Sequence, residues 1–120
     1  MIKVDKTSIV DKSAIIEDGV QIGPFCIIEK DVIINEGTII KPYVHIMSNT
    51  TIGKNNIIHQ GSILGEVPQD LKYNNEKTSL VIGDNNTIRE YCTLNKGTDD
   101  LFETKIGNNC LLMAYVHIAH

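Results

Sequence analysis

From Val4 onward every sixth residue is aliphatic: Val10, Ile16, Ile22, Ile28, Ile34, Ile40, Ile46, Ile52, Ile58 and Leu64 follow without a break. The step then meets Asp70 and Glu76, resumes at Ile82, Ile88 and Leu94, meets Asp100, and resumes again at Ile106, Leu112 and Ile118. A helix repeats at about 3.6 residues and a long strand at about two, so a period of six fits neither. It fits short strands, each ended by a tight corner. Three such sides close a triangular coil, and stacking coils at roughly 4.8 Å places each column residue on its equivalent eighteen positions earlier. The predicted fold is therefore all-β, a parallel β-helix of hexapeptide repeats occupying residues 1–120 as one domain. The pairing partner lies one coil away, so no helical crossover is needed.

Two other phases of the hexad support this reading. Two positions before the column stand mostly small or β-branched residues, among them Ser8, Ala14, Val20, Cys26, Val32, Thr38, Val44 and Thr50. One position after it lies Gly23, Gly53, Gly65, Gly83 or Gly107, and two further on come Gly19, Gly37, Asn49, Asn55 and Gly61. These are turn residues that tolerate positive φ. The repeat fails twice, at about 65–81 and 95–105. Both segments are polar, and the column returns in phase after each, which predicts two loops extruded from an undisturbed coil. Loops on a rigid scaffold are favoured places for binding groups. Uncapped coil ends expose strand edges, and the chain stops at His120, two residues past a column position. A longer parent protein is expected.

Composition changes this picture little. Ile supplies 20 residues while Trp is absent, and the apolar fraction is 42%, a recipe for strands. The formal charge of −4 comes from mixed residues with no basic run, so a nucleic-acid footprint is absent. The N-terminus interrupts its apolar positions with Asp and Lys, which excludes a signal-peptide core or a membrane span there. A cytoplasmic protein is expected. Cys26, Cys92 and Cys110 are odd in number and widely spaced, which argues for reduced thiols over a disulfide framework.

Candidate chemistry is sparse. VHIAH sets His117 and His120 three apart, with His117 immediately before the column residue Ile118 and so facing outward. A histidine there can be a general base or an idle surface residue. Zinc would need a third ligand, and His45 and His59 lie several coils back. No metal and no cofactor are expected. In the first interruption, PQDLKY brings the Asp70 carboxylate, the Lys72 ammonium and the Tyr73 phenol within four residues, a mixture able to hydrogen-bond a sugar or steady a phosphate. No GxGxxG, P-loop, GxSxG or HExxH motif is present.

Taken together, the hexads beginning almost at residue 1, GEVPQDLKY at 65–73, IGDNNTIREY at 82–91, the NKGT start of the second interruption and IGNNCLLMAYVHIAH at 106–120 resemble the acyl-(acyl-carrier-protein)–UDP-N-acetylglucosamine O-acyltransferases. The resemblance covers the whole chain, and QDLKY, TIRE and HIAH are its most specific parts. It implies left-handed coils, a homotrimer, and transfer of a 3-hydroxyacyl group from acyl carrier protein to the 3-hydroxyl of UDP-N-acetylglucosamine, the first step of lipid A synthesis. By motif it makes His120 the general base and His117 a residue that holds the sugar. Asp70 and Lys72 become substrate contacts, with Gln69 and Leu71 lining the same cleft between subunits. It also implies that the missing remainder supplies the group orienting the base, the oxyanion donor and most uridine contacts, so this chain alone is expected to be inactive. An N-acyl version acting on a UDP-3-amino sugar is not separated by these residues. The later lipid A N-acyltransferase, whose family carries a uridine-binding domain ahead of its helix, fits poorly with hexads from Val4. A non-enzymatic scaffold fits poorly with two polar interruptions.

Overall fold

The computed structural model describes residues 1–66, 78–97 and 103–119. Within them the chain turns through short strands that sort into three parallel sheets, one per side of the coil. The first sheet stacks β1 (Lys3–Val4), β4 (Gln21–Ile22), β7 (Ile39–Ile40), β10 (Ile57–Ile58), β13 (Thr87–Ile88) and β16 (Leu111–Leu112). The second stacks β2 (Ile9–Val10), β5 (Ile27–Ile28), β8 (His45–Ile46), β11 (Ile63–Glu66), β14 (Thr93–Asn95) and β17 (His117–Ile118). The third stacks β3 (Ile15–Ile16), β6 (Ile33–Ile34), β9 (Thr50–Ile52), β12 (Ser79–Ile82) and β15 (Glu103–Ile106).

The register is the one that the period of six predicts. Val4 pairs with Ile22 and Val10 with Ile28, eighteen residues on. Across the first interruption Ile58 pairs with Ile88, thirty residues on, and across the second Ile88 pairs with Leu112, twenty-four on. Both insertions are whole multiples of six, so the column resumes on the inner face each time. Column residues from Ile22 to Leu94 are buried, whereas Val4 is 43% exposed because its coil is covered from one side only.

The phase two before the column is buried as well, and it does more than fill space. Thr38 Oγ1 donates to Gly53 O at 2.7 Å and accepts from Asn56 N at 3.1 Å. Asn56 repeats the pattern one coil on: Nδ2 donates to Gly83 O at 2.8 Å, and Oδ1 accepts from Asn86 N at 2.7 Å. Asn86 does the same with Gly107 O and Cys110 N. Ser8 and Ser62 stitch another corner through Cys26 N and Cys92 N. Where such a side chain stands at a corner, it satisfies a buried N–H and a buried C=O that the strand ladder leaves over. The thiols of Cys26 and Cys92 join this scheme, donating to Lys41 O and Met113 O at 3.1 Å. All three cysteines are free, and burial pushes the Cys26 and Cys92 thiols up.

Corners also demand left-handed backbone, and not only Gly and Asn supply it. Phe25, Tyr43, Tyr91 and Tyr115 all hold φ between 58° and 66°. That conformation costs an aromatic residue about 1–2 kcal/mol. Stacking of Phe25 on Tyr43 (5.3 Å) and Tyr91 on Tyr115 (5.6 Å) offsets part of it.

Strand bonding reaches further into the interruptions than the hexad pattern does. Gly65, Glu66, Ser79 to Val81, Asn95 and Glu103 to Lys105 are strand residues rather than loop, because β12 pairs with β15 from Ser79↔Glu103 through Ile82↔Ile106. The corner stitching makes a prediction. Asn56→Ala in the complete protein strands Asn86 N–H and Gly83 C=O, so urea unfolding is expected to show a loss of about 2–4 kcal/mol. Asn55→Gly, at an exposed corner with φ 55°, is expected to change stability by less than about 1 kcal/mol.

Candidate functional site

Along the second sheet, the residue before each column position points outward, giving the row Ile9, Ile27, His45, Ile63, Thr93 and His117. His117 sits at one end of the row and is exposed. Its Nδ1 lies 2.7 Å from the hydroxyl of Thr93, its register partner one strand below. That bond fixes the ring plane and leaves Nε2 for a ligand: with Thr93 donating, Nε2 carries a proton, and with Nδ1 donating it offers a lone pair. Thr93 had no place among the sequence candidates. Its signal was available, since it occupies the same phase before Leu94 that His117 occupies before Ile118.

Of the other predicted site residues, Gln69, Asp70, Leu71, Lys72 and His120 lie outside the described residues. What the structure does describe is how the segments bearing them are anchored. A bulge at Gly65, φ 86°, shifts the pairing so that Glu66 rather than Gly65 faces Asn95. Such a bulge needs a residue that accepts left-handed backbone, and it bends the strand outward where the chain leaves the coil. The Glu66 carbonyl accepts from Lys96 N at 2.8 Å, and the Ser79 carbonyl accepts from Gly97 N at 3.1 Å. The two ends of the first interruption are therefore both tied to the start of the second. Gly97 packs so closely on the backbone of Glu103 that a Cβ has no room.

At this corner the stitch seen elsewhere fails. Thr50, Thr78 and Thr104 keep buried hydroxyls with no partner, and Asn95 keeps a buried amide with none. Charged groups gather instead. Lys96 is 7% exposed, alone buried among the described lysines, and its Nζ donates to Ser48 Oγ at 3.0 Å. Glu29 Oε1 accepts from Ser48 N at 3.1 Å, while Glu29 Oε2 lies 2.7 Å from His45 Nε2. Burial lowers the Lys96 ammonium's pKa, the carboxylates of Glu29 and Glu66 oppose that shift, and Lys30 adds to it.

The histidines considered for a metal stay apart. His45 is three strands from His117 in the second sheet, and His59 stands 3.8 Å from the Glu90 carboxylate, which Arg89 holds below the usual carboxylate range. Among the described residues no three His, Cys, Asp or Glu side chains are grouped to hold a metal ion. No helix in them is long and apolar enough to cross a membrane.

A family model described as bacterial transferase hexapeptide (six repeats) matches residues 13–44 and 34–66. Over all of this chain, the acyl-(acyl-carrier-protein)–UDP-N-acetylglucosamine O-acyltransferase of Aliarcobacter butzleri is 58% identical, and that of a Psychrobacter strain 49%. The chain's repeats match those of the bacterial hexapeptide transferases, and its whole length matches these acyltransferases. It spans about half the length of the curated relatives it matches, 46% and 47% of these two. The solved UDP-N-acetylglucosamine acyltransferase of Acinetobacter baumannii superposes with a TM-score of 0.96 at 51% identity, covering 98% of this chain and 46% of that one. The sequence matches cover all of this chain, the interruptions as well as the repeats.

The anchoring carries a prediction. Gly97→Ala forces a methyl group into the Glu103 backbone and is expected to cost about 1–3 kcal/mol. Thermal denaturation of this variant beside the parent, both as the complete protein, checks it.

Proposed function

We propose that this chain is part of a UDP-N-acetylglucosamine O-acyltransferase that moves a 3-hydroxyacyl group from acyl carrier protein to the sugar 3-hydroxyl, the first step of lipid A synthesis. The supporting observation is His117, the first residue of HIAH, at the end of the second sheet's outward row, in a chain whose relatives of that name match it over essentially its full length. In this reading His120 accepts the proton of the sugar hydroxyl as its oxygen attacks the thioester carbonyl. Collapse of the tetrahedral adduct forms the ester, releases the carrier thiolate and returns the proton to it. A thioester is already activated, so deprotonation and positioning supply the rest. His117, its ring held by Thr93, contacts the sugar, and Gln69, Asp70, Leu71 and Lys72 line the acceptor cleft. The chemistry calls for no cofactor.

The protein works in the cytoplasm as a homotrimer in this proposal. Outward-facing Ile9, Ile15 and Ile27 are 41–66% exposed, and such apolar faces are suited to a neighbouring copy. A pure scaffold would not need two polar interruptions anchored to one another.

The test is mass-spectrometric detection of acyl transfer by the complete protein, with its His120→Ala and His117→Ala variants alongside. His120→Ala is expected to lose at least about a hundredfold in rate, within the range for a general base, and His117→Ala to lose less, mainly through weaker acceptor binding. If the complete protein transfers no acyl group to the hydroxyl sugar or to its 3-amino analogue, the proposal is wrong.

A further inference from the structure

His45 and His117 both stand on the outward row of the second sheet, and the coil holds them by opposite ring nitrogens. His45 is held at Nε2, 2.7 Å from the Glu29 carboxylate. His117 is held at Nδ1, 2.7 Å from the Thr93 hydroxyl. Nδ1 is the nitrogen nearer the backbone and Nε2 the farther one. Holding the far nitrogen, as Glu29 does, ties the tip of the ring to a neighbouring coil. Holding the near one leaves Nε2 projecting from a residue that is itself exposed. Of the two, only His117 is set to meet a ligand with the tip of its ring.

The chemistry of the partner matters as much as its position. A carboxylate only accepts, whereas a hydroxyl both donates and accepts. Opposite a neutral imidazole, Thr93 donates to Nδ1, because that lone pair is more basic than an alcohol's, and the ring proton then sits on Nε2. Opposite an imidazolium, Thr93 accepts from Nδ1–H, and Nε2 again carries a proton. In both charge states the outward nitrogen is therefore an N–H donor. On the other side of Thr93 along the row stands Ile63, an aliphatic residue with nothing to offer the hydroxyl. The backbone keeps the pair in place as well: Thr93 N donates to Val116 O at 3.0 Å, beside the side-chain bond, and β-branching restricts the Thr93 rotamer.

We propose that Thr93 is a positioning residue that makes His117 a fixed hydrogen-bond donor, its Nε2–H turned to an accepting oxygen of the nucleotide sugar. The proposal rests on the acyltransferase reading above and divides the labour within it. A nitrogen that carries a proton in both charge states cannot take one from the sugar hydroxyl, so His117 binds the acceptor and the base is another group. Thr93 touches no reacting atom. It reduces the ordering cost of one binding side chain, so its signature is a change in acceptor KM with little change in kcat, and only while His117 is present. Serine keeps the hydroxyl, whereas valine keeps the shape and loses it.

The experiment combines steady-state kinetics with nitrogen-15 spectroscopy of ring-labelled histidine, both on the complete protein. Kinetics with UDP-N-acetylglucosamine varied at saturating acyl carrier protein thioester compare the parent, Thr93→Val, Thr93→Ser, His117→Ala and the Thr93→Val, His117→Ala double variant. Thr93→Val is expected to raise the acceptor KM about fivefold, the scale of one lost neutral hydrogen bond, with kcat within about twofold of the parent. Thr93→Ser should keep KM within about twofold, and in the His117→Ala background Thr93→Val should have no further effect. An unchanged KM in Thr93→Val, a fall confined to kcat, an equal rise with and without His117, or a serine variant no better than valine overturns the proposal. If Thr93→Val does not fold, Thr93→Ala takes its place under the same criteria. In the spectrum, His117 is assigned by its loss in His117→Ala and read at a pH where its ring is neutral. The proton is expected on Nε2 with Nδ1 bare, and a proton on Nδ1 overturns the proposal. If the parent protein transfers no acyl group, the acyltransferase reading has failed, and the hold of Thr93 on the ring is then judged by the spectrum alone.

Discussion

The interaction on which the rest of this structure depends is the backbone bond from one coil to the next. Asp5 N reaches Ile22 O at 2.9 Å, Asp11 N reaches Ile28 O at 2.9 Å, and the same link recurs up all three sides. A coil that buried its aliphatic row without this ladder would strand polar backbone in the core. A ladder without the row would have nothing to exclude water from it. The period of six is the only spacing of this sequence that satisfies both, and it leaves the corners as the remaining problem. Asn, Ser, Thr and even Cys side chains solve it by bonding coil to coil, and the left-handed corner residues let the chain turn within so few positions.

Rigidity of this kind has a functional consequence. Because each insertion adds a whole number of hexads, chain can be extruded at one corner while the outward row above it keeps its alignment. His117 stays over Thr93 although the second interruption lies between them. The polar groups needed for chemistry can then come from irregular segments, while the histidine row stays as exact as the coil that carries it. The weak point is the corner where those segments leave, and there the repeat's neutral hydrogen bonds give way to Lys96, Glu29, Ser48 and His45.

Much of this was legible in the residues. The aliphatic column gave the coil, its failures located both interruptions, and the phase of His117 before Ile118 set its outward direction. Other features were hidden for physical reasons. Nothing in the local sequence marks Asn56 and Asn86, because hydropathy cannot show that an amide pairs with a carbonyl and an N–H 21 to 30 residues away. Lys96 sits in a polar stretch that looks solvated, and its burial accompanies the bonding of distant stems at Glu66 and Ser79, which no local pattern encodes. The extra strand length at Glu66 and Ser79 arises from pairing between the stems rather than from their own propensity. Thr93 was recoverable only by carrying the register across an insertion of known length.

The central claim is that the outward row of the second sheet, ending in His117, forms one wall of an acceptor site for a nucleotide sugar. The most direct measurement is a crystal structure of the complete protein with UDP-N-acetylglucosamine bound. The account predicts the sugar against His117, with its 3-hydroxyl within hydrogen-bond distance of His120 and the segment 69–72 alongside. A nucleotide sugar bound on another face, away from the row of His45, Ile63, Thr93 and His117, would contradict it.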